Sequence, residues 1–300
     1  MLPFADGRAG IVCGVARQGA SAVILTTGSR PSELTSAVDS SLRAGCQSCT
    51  VVWNADYEPL HADTAPDGVT FLYPGRNLGI PGGRNYGLAA SISEVVGFLD
   101  DDAVLLSENA VRDVIEHFKT HSRCAVVALR IVDQLGVTSR RHNPRVGTAG
   151  VTRGGRVGTF LGGACFVRRE AFVSVGGFDE SFIYAMEEQD LTWRLYEAGW
   201  HVDYRPDIRA FHPRTDPSRH PNAVEQTWRN RVTSASKMLP LPIWLFYVTT
   251  HGARSIARGL SLRSAVSGLR RGVSHGRRSR CPMSWSTVWK LTCVGRPPIV

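Results

Sequence analysis

Residues Val95-Val96-Gly97-Phe98-Leu99 run directly into Asp100-Asp101-Asp102. A short apolar run with a glycine inside it is better read as a buried strand than as a helix, with the acids at its C-terminal end. Adjacent carboxylates repel one another, so folding alone gains nothing from placing them there. A divalent cation relieves that repulsion, and hard oxygen ligands suit Mg²⁺ or Mn²⁺. The C-terminal edge of a strand is also where open α/β sheets bind ligands. The competing reading is an acidic turn in water, and this stretch by itself does not choose between the two.

The surrounding pattern is that of alternating strands and helices. Ala22-Val23-Ile24-Leu25 reads as a buried strand ending in the polar turn Thr26-Thr27-Gly28-Ser29-Arg30-Pro31. Ser32 is a candidate cap for a helix to about Ala44, with Glu33 in its first turn and Gly45 as its stop. Thr50-Val51-Val52-Trp53, ending at Asn54, and Val69-Thr70-Phe71-Leu72 are further strands. This spacing predicts parallel pairing with helices on both faces of the sheet.

Arg76-Asn77-Leu78-Gly79-Ile80-Pro81-Gly82-Gly83-Arg84-Asn85 follows, with a helix expected from Arg84 to Ser93. A glycine turn before a helix brings backbone N–H groups near an anion, with Arg84 adding charge. The alternative is a tight connection that needs positive φ. Ala110–Thr120 reads as an amphipathic helix and Cys124–Leu129 as a strand, and the polar stretch 133–158 as a flap beside the site. Thr159–Val167 reads as two strand pieces broken by Gly162-Gly163, glycines that signal a close approach. Glu187-Glu188-Gln189-Asp190 opens a helix with an apolar face of Leu191, Leu195 and Ala198 and a stop at Gly199. First-turn acids compensate a helix dipole. Arg194 can pair with Asp190 at i,i+4, which leaves at least one carboxylate for a pocket.

These pieces in this order resemble the family 2 glycosyltransferases of the GT-A fold, over residues 20–228. The marks are TTGSRP after the first strand, RNLGIPGGRN at 76–85, FLDDDAVL at 98–105, FLGGACFVRREAFVSVGGFDE at 160–180 and EEQDLTWRLYEAGW at 187–200. Bacterial members of rhamnosyltransferase-like type are the most similar, since their tails, like residues 283–299, are Trp-rich and end near GRPP. The resemblance implies a mostly parallel, Rossmann-like sheet and transfer of a sugar from a nucleotide-diphosphate donor, UDP- or dTDP-linked. It implies Mg²⁺ or Mn²⁺ on Asp100 and Asp102, with His212 completing the site, and Asp101 near the ribose. Thr26, Thr27, Gly28, Arg30 and Asn54 match the region that binds the base, and Asn77, Gly79 and Arg84 add to the donor site. The catalytic base falls on the Glu187-Glu188 pair, with Asp190 as the competitor of Glu188. Trp53-Asn54 stands where an acid is often found, so the nucleotide stays open. An inverting transfer to a hydroxyl of a glycan, lipid-linked or secondary-metabolite acceptor is the implied reaction. The rivals are a sugar-nucleotide nucleotidyltransferase, whose Gly-rich, Lys-containing N-terminal loop is missing here, and a non-catalytic binding module, which would not need both acid clusters.

Charge divides the chain. The net charge is +9, yet all 26 Asp and Glu lie by residue 225, and residues 229–300 carry 13 Lys and Arg with no acid. Three segments follow: irregular 1–19, catalytic 20–228 and a basic, Trp-containing helical extension 229–300. Basic helices with Trp and Leu read either as membrane-interface segments or as a cap with a solvated basic face. No nucleic-acid motif accompanies the charge. No secretory signal or membrane-spanning run is read, and the seven scattered cysteines form no zinc pattern despite Cys46-Gln47-Ser48-Cys49. A cytoplasmic protein is expected, with docking on the inner face of the plasma membrane under the first reading of the tail.

Overall fold

The computed structural model describes residues 17–57, 65–146, 150–214 and 222–299. Strand β1 (Arg17–Thr26) pairs in parallel with β2 (Ser48–Trp53) and with β4 (Ser93–Asp100), and β3 (Val69–Leu72) joins β2 in parallel. Beyond β4 comes β8 (Ala164–Arg168), antiparallel to both β4 and β6 (Cys124–Val132). Strand β9 (His201–Phe211) runs parallel to β6 and carries β5 (Val104–Leu105) and β7 (Gly155–Val157) antiparallel. The expected parallel pairing thus holds for β1–β4 and for β6 with β9, and β8 enters the sheet in the opposite sense.

Strand β4 is the middle of this order because it is apolar on both faces. Val96 and Phe98 lie in the core on one side, and Val95 and Leu99 in the core on the other. Fully burying a side chain of this size contributes about 1.5–3 kcal/mol. Gly97 has a packing reason: a Cβ there would sit 2.7 Å from the Phe166 ring of β8.

Local boundaries depart from the sequence reading in several places. The first strand begins at Arg17, inside the segment read as irregular; residues 1–16 lie outside the described residues. Helix α1 (Pro31–Arg43) starts at a proline pre-set for a first turn. Ser32 is therefore inside the helix, where its hydroxyl donates to Glu33 at 2.7 Å instead of capping. Helix α2 (Gly79–Ala90) starts five residues before the expected Arg84. Its Gly83 and Gly87 are helical, and they let the helix lie against Leu25 and Val23 of β1, where a Cβ would collide. Residues 159–163 are not strand; the regular strand begins at Ala164. Residues 201–211 form one continuous strand, β9. The flap region contains a 3₁₀ turn at Arg140–His142 and strand β7. Helices α3 (Ala110–Thr120), α4 (Arg169–Ser174) and α5 (Glu187–Glu197) complete this part; α3 has the bounds the sequence indicates and α5 its start, ending just before Ala198.

The boundary drawn at 228 falls inside helix α6 (Ala223–Met238), which is followed by α7 (Leu241–Ala257), α8 (Leu262–Arg278) and α9 (Trp285–Cys293). Trp228, Val232, Tyr247 and Leu291 join the same core cluster as Val96 and Phe98 of the sheet. Gly268, Gly272 and Gly276 recur every fourth residue on α8 and form the face against α6, where a Cβ on Gly272 would stand 2.7 Å from Val232. That packing turns the arginines of α8 outward. Among the described residues no helix is long and apolar enough to cross a membrane. Cys46 and Cys49 are buried free thiols, each pushed up to about 12 by burial.

Candidate active site

Groups from distant parts of the sequence meet at the C-terminal edge of β4. Asp100 is its last residue. The turn that follows is closed by the Ala103 N–H donating to the Asp100 carbonyl at 3.0 Å, and it carries Asp101 and Asp102. Strand β5 then pairs with the end of β9, which sets His212 beside the turn. One ligand atom each from Asp100, Asp102 and His212 lie within 4.8 Å of one another. His212 Nδ1 is 2.9 Å from the Pro213 carbonyl, an acceptor, so Nδ1 carries a proton. Nε2 then faces Asp100 Oδ2 at 3.5 Å and Asp102 Oδ1 at 3.3 Å. A neutral His212 would turn a lone pair on two carboxylates, and Asp102 Oδ1 is buried and accepts no hydrogen bond. This donor set, two hard oxygens and an imidazole with its outer nitrogen anchored, fits a divalent cation. Burial raises the Asp100 carboxyl, but His212 and the charge of Arg84 outweigh it and hold the group below the usual carboxylate range. His142, from the flap, lies edge-on to the His212 ring at 5.5 Å, and burial pulls it down to about 4.

Asp101 is placed differently from its neighbours. Its Oδ2 accepts from Thr26 Oγ1 at 2.7 Å and its Oδ1 pairs with Arg30 at 2.8 Å, so both oxygens are engaged. Arg30 also pairs with Asp102. Thr26 and Arg30 therefore brace the acidic turn. Gly28, at φ +77, lets the Trp53 ring lie over the 26–30 turn, and Trp53 stands edge-on to Tyr57 at 5.9 Å. Thr27 is exposed and its carbonyl accepts from the Tyr57 hydroxyl at 2.6 Å. Asn54 turns out to be a strut: Nδ2 donates to the Gly79 carbonyl at 3.0 Å and Oδ1 accepts from the Leu78 N–H at 2.7 Å. Asn77 Oδ1 accepts from the Gly79 N–H at 2.8 Å, and Gly79 itself sits at φ +72, so this pair shapes the entry to α2.

Arg84 corrects the sequence reading most clearly. It is not at a helix N-terminus facing an anion; it is buried within α2, beneath the site. Its guanidinium pairs with Asp100 at 2.9 Å, with Glu187 at 3.6 Å and with Glu188 at 3.7 Å. It thus ties the metal-type cluster to the glutamate pair. The glycines at 162 and 163 are required by these same side chains, since a Cβ at Gly162 would strike Arg84 and one at Gly163 would strike Asp100. The Gly162 N–H donates to Glu188 Oε1 at 3.0 Å. Of the glutamates, Glu187 has a side chain only 3% exposed and Glu188 one 19% exposed, so Glu188 is the one a second substrate can reach. Asp190 is excluded from the pocket: it is fully buried and held by Arg194 at 2.7 Å and Lys237 at 2.9 Å.

Burial, reinforced by Glu188 and opposed by Arg84, pushes Glu187 up to about 8. A carboxyl raised in the folded state stabilises fully below its ordinary value of 4.5 and loses that contribution as pH climbs through about 8. The melting temperature should accordingly fall between pH 5 and pH 9, and Glu187→Gln should flatten part of that fall in a thermal-melt series. An unchanged slope in the variant would show that Glu187 ionises freely.

The segment before the glutamates is strained. Ile183, Ala185 and Met186 all have positive φ, at 59, 66 and 75°. Such conformations cost non-glycine residues about 1–3 kcal/mol each and persist only when the surroundings impose them. Here the surroundings include α6, from the tail. Asn230, which sequence reasoning missed, donates from Nδ2 to the carbonyls of Phe182, Tyr184 and Ala185 at 3.0, 2.8 and 2.9 Å. Lys237, also missed, bridges Asp179 at 2.7 Å and Asp190. Only a lone amide and a lone lysine at helical positions inside a basic tail were there to be noticed.

Comparison with known proteins shows what this chain is similar to. Residues 53–176 match the profile described as Glycosyl transferase family 2. The matched stretch runs from the end of β2 to the turn after α4 and is where the chain is similar to that family. The chain is 42% identical over 69 residues to the N-acetylglucosaminyl-diphospho-decaprenol L-rhamnosyltransferase of Mycobacterium tuberculosis, a match covering 21% of the chain and 22% of that protein. It is 30% identical over 160 residues to the pre-mycofactocin glycosyltransferase of the same species, 50% of the chain and 32% of that protein. The matches thus span a third or less of either relative. Among solved structures it is similar to GalNAc-T7 with UDP, GalNAc and Mn²⁺, at TM-score 0.62 and 15% identity over 92% of the chain and 56% of that protein. It is likewise similar to the mannosyltransferase PcManGT of Pyrobaculum calidifontis with GDP-Man and Mn²⁺, at 0.54 and 14% over 92% and 72%. At these identities the likeness establishes the GT-A fold of the glycosyltransferase domain.

Proposed function

We propose that this chain transfers a sugar from a UDP- or dTDP-linked donor to a hydroxyl of a glycan or lipid-linked acceptor, with a divalent cation and with inversion. The reading rests on one observation: Asp100, Asp102 and His212 converge within 4.8 Å, and Arg84 joins Asp100 to Glu188. Asp100, Asp102 and His212 would hold Mg²⁺ or Mn²⁺, which when bound neutralises the diphosphate leaving group. Trp53 and the 26–30 turn offer a surface for the nucleotide, with Arg30 a cation at its edge. Glu188, the exposed member of the pair, accepts the proton of the acceptor hydroxyl. One carboxylate base working opposite the leaving group gives inversion; a double displacement would need a second carboxylate beside the anomeric carbon. Transfer and hydrolysis assays over a panel of nucleotide sugars, each with Mn²⁺, Mg²⁺ and chelator, test this directly. Cation-dependent turnover of one donor with an inverted product is the expected result; pyrophosphate exchange without sugar transfer would instead favour a nucleotidyltransferase.

A lipid-linked acceptor draws support from the tail. Trp285 and Trp289 lie one turn apart on α9 and are 62% and 68% exposed, and Leu241 and Leu245 repeat that spacing on α7. The arginines that α8 turns outward stand on the same extension. Each basic residue near an anionic bilayer is worth about 1 kcal/mol, and tryptophans anchor at the interface. The protein should co-sediment with anionic vesicles at low salt and leave them at high salt, and the double variant W285A/W289A should bind several-fold less. Equal binding by the variant would remove α9 from any membrane contact.

A further inference from the structure

We infer that Asn230 of α6 is a positioning residue for the catalytic base, holding the turn 182–186 in the shape that presents Glu188. The inference rests on the sugar-transfer reading above for its activity readout, but its structural content stands apart from that reading.

Asn230 is 1% exposed and lies more than forty residues after the turn it touches. Its two Nδ2 hydrogens are shared among three consecutive-turn carbonyls, those of Phe182, Tyr184 and Ala185. Its Oδ1 is fixed in turn by Arg229, through Nε at 3.1 Å and Nη2 at 3.0 Å, and the same Nη2 reaches the Ser181 carbonyl at 3.2 Å. The amide therefore cannot flip without losing contacts on both sides. What it holds is a backbone that would relax if released, since Ile183, Ala185 and Met186 are L-residues in conformations they rarely adopt. Met186 is the residue from which α5 departs, and Glu187 and Glu188 are the first residues of that helix. The other side of the turn is fixed too. The Ile183 carbonyl accepts from the Ile80 N–H at 2.8 Å, and a Cβ on Gly79 would stand 2.7 Å from that oxygen. The turn is thus gripped between α2, which carries Arg84, and α6. A rotation of Met186 would swing Glu188 away from Gly162 and Arg84, and misplacing a reacting group by an ångström costs catalysis heavily. Asn230 is 1% exposed and spends its amide N–H groups on the turn, so its effect must pass through the turn.

The test compares N230A and N230S with V232A, which removes buried volume from the same helix without touching the turn. Three readings are taken on the full chain: melting temperature, donor affinity with Mn²⁺ by calorimetry, and backbone hydrogen exchange by mass spectrometry. Transfer kinetics are added. For N230A we expect faster exchange over residues 182–188, kcat lowered about tenfold or more, and donor affinity within about twofold of the parent. N230S keeps one donor and should fall between N230A and the parent; it also serves where N230A is too unstable to purify. V232A should lose melting temperature while keeping exchange over 182–188 and kcat near the parent values. Unchanged exchange over 182–188 in both Asn230 variants overturns the inference. So does an equal loss of kcat in V232A at equal loss of melting temperature, which would make Asn230 a stability residue only. A parent chain inactive on every donor would refute the sugar-transfer reading while leaving the exchange result to judge the strap.

Discussion

Asp102→Ala should lower transfer by about 10²-fold or more, the scale of loss when a group that stabilises developing charge is deleted. The substitution takes away the buried Oδ1 that accepts no hydrogen bond and one of the three converging ligand atoms. It also frees Arg30 from one of its two carboxylates, but Asp101 remains to hold it at 2.8 Å. The fold should therefore survive, since three crowded acids become two. The decisive measurement is donor binding by calorimetry with and without Mn²⁺. In the parent chain the cation should tighten binding, and in Asp102→Ala that difference should vanish. The same Mn²⁺ dependence in the variant would mean that the acidic turn does not hold the cation.

Glu188→Gln should leave donor binding near normal and reduce transfer by roughly 10²–10⁴, the usual worth of a positioned base. Gln keeps the shape and can still meet the Gly162 N–H through its carbonyl, so the 160–163 segment should not move. Glu187→Gln should cost less, because that side chain is 3% exposed and reaches no solvent-side substrate. Asp190→Asn is expected to act through folding, since removing one partner from a buried ion network costs about 3–5 kcal/mol and Asp190 serves both Arg194 and Lys237. Stopped assays with a fixed donor and acceptor separate these cases. Near-parent turnover in Glu188→Gln would sink the assignment of the base.

The sequence by itself determined the strand that ends in three acids, because an apolar run closed by carboxylates has few other solutions. It determined α3 to the residue, the start of α5 and the first parallel strands, since period and stop signals are local properties. It also placed Asp100, Asp102 and His212 together on the strength of motif order, and they do converge. What tertiary structure decided was the direction in which each polar side chain points. Arg84 read as an anion binder because its glycine-rich context looked like a turn. Those glycines are helical instead, required by the pressure of α2 on β1, and the arginine is directed down onto its own carboxylates. Asn54 and Asn77 became struts for the same helix entry. Asp190, two residues from Glu188, had a hint against it in Arg194 at i,i+4, but its full burial between Arg194 and Lys237 of α6 was not readable in one dimension. The extension itself was legible as basic and helical, with a cap as one of two readings, but the residues that pack it onto the sheet core were not legible. Its glycine face on α8, its buried Trp228 and its Asn230 act through contacts tens of residues away in sequence, and no local period encodes such contacts.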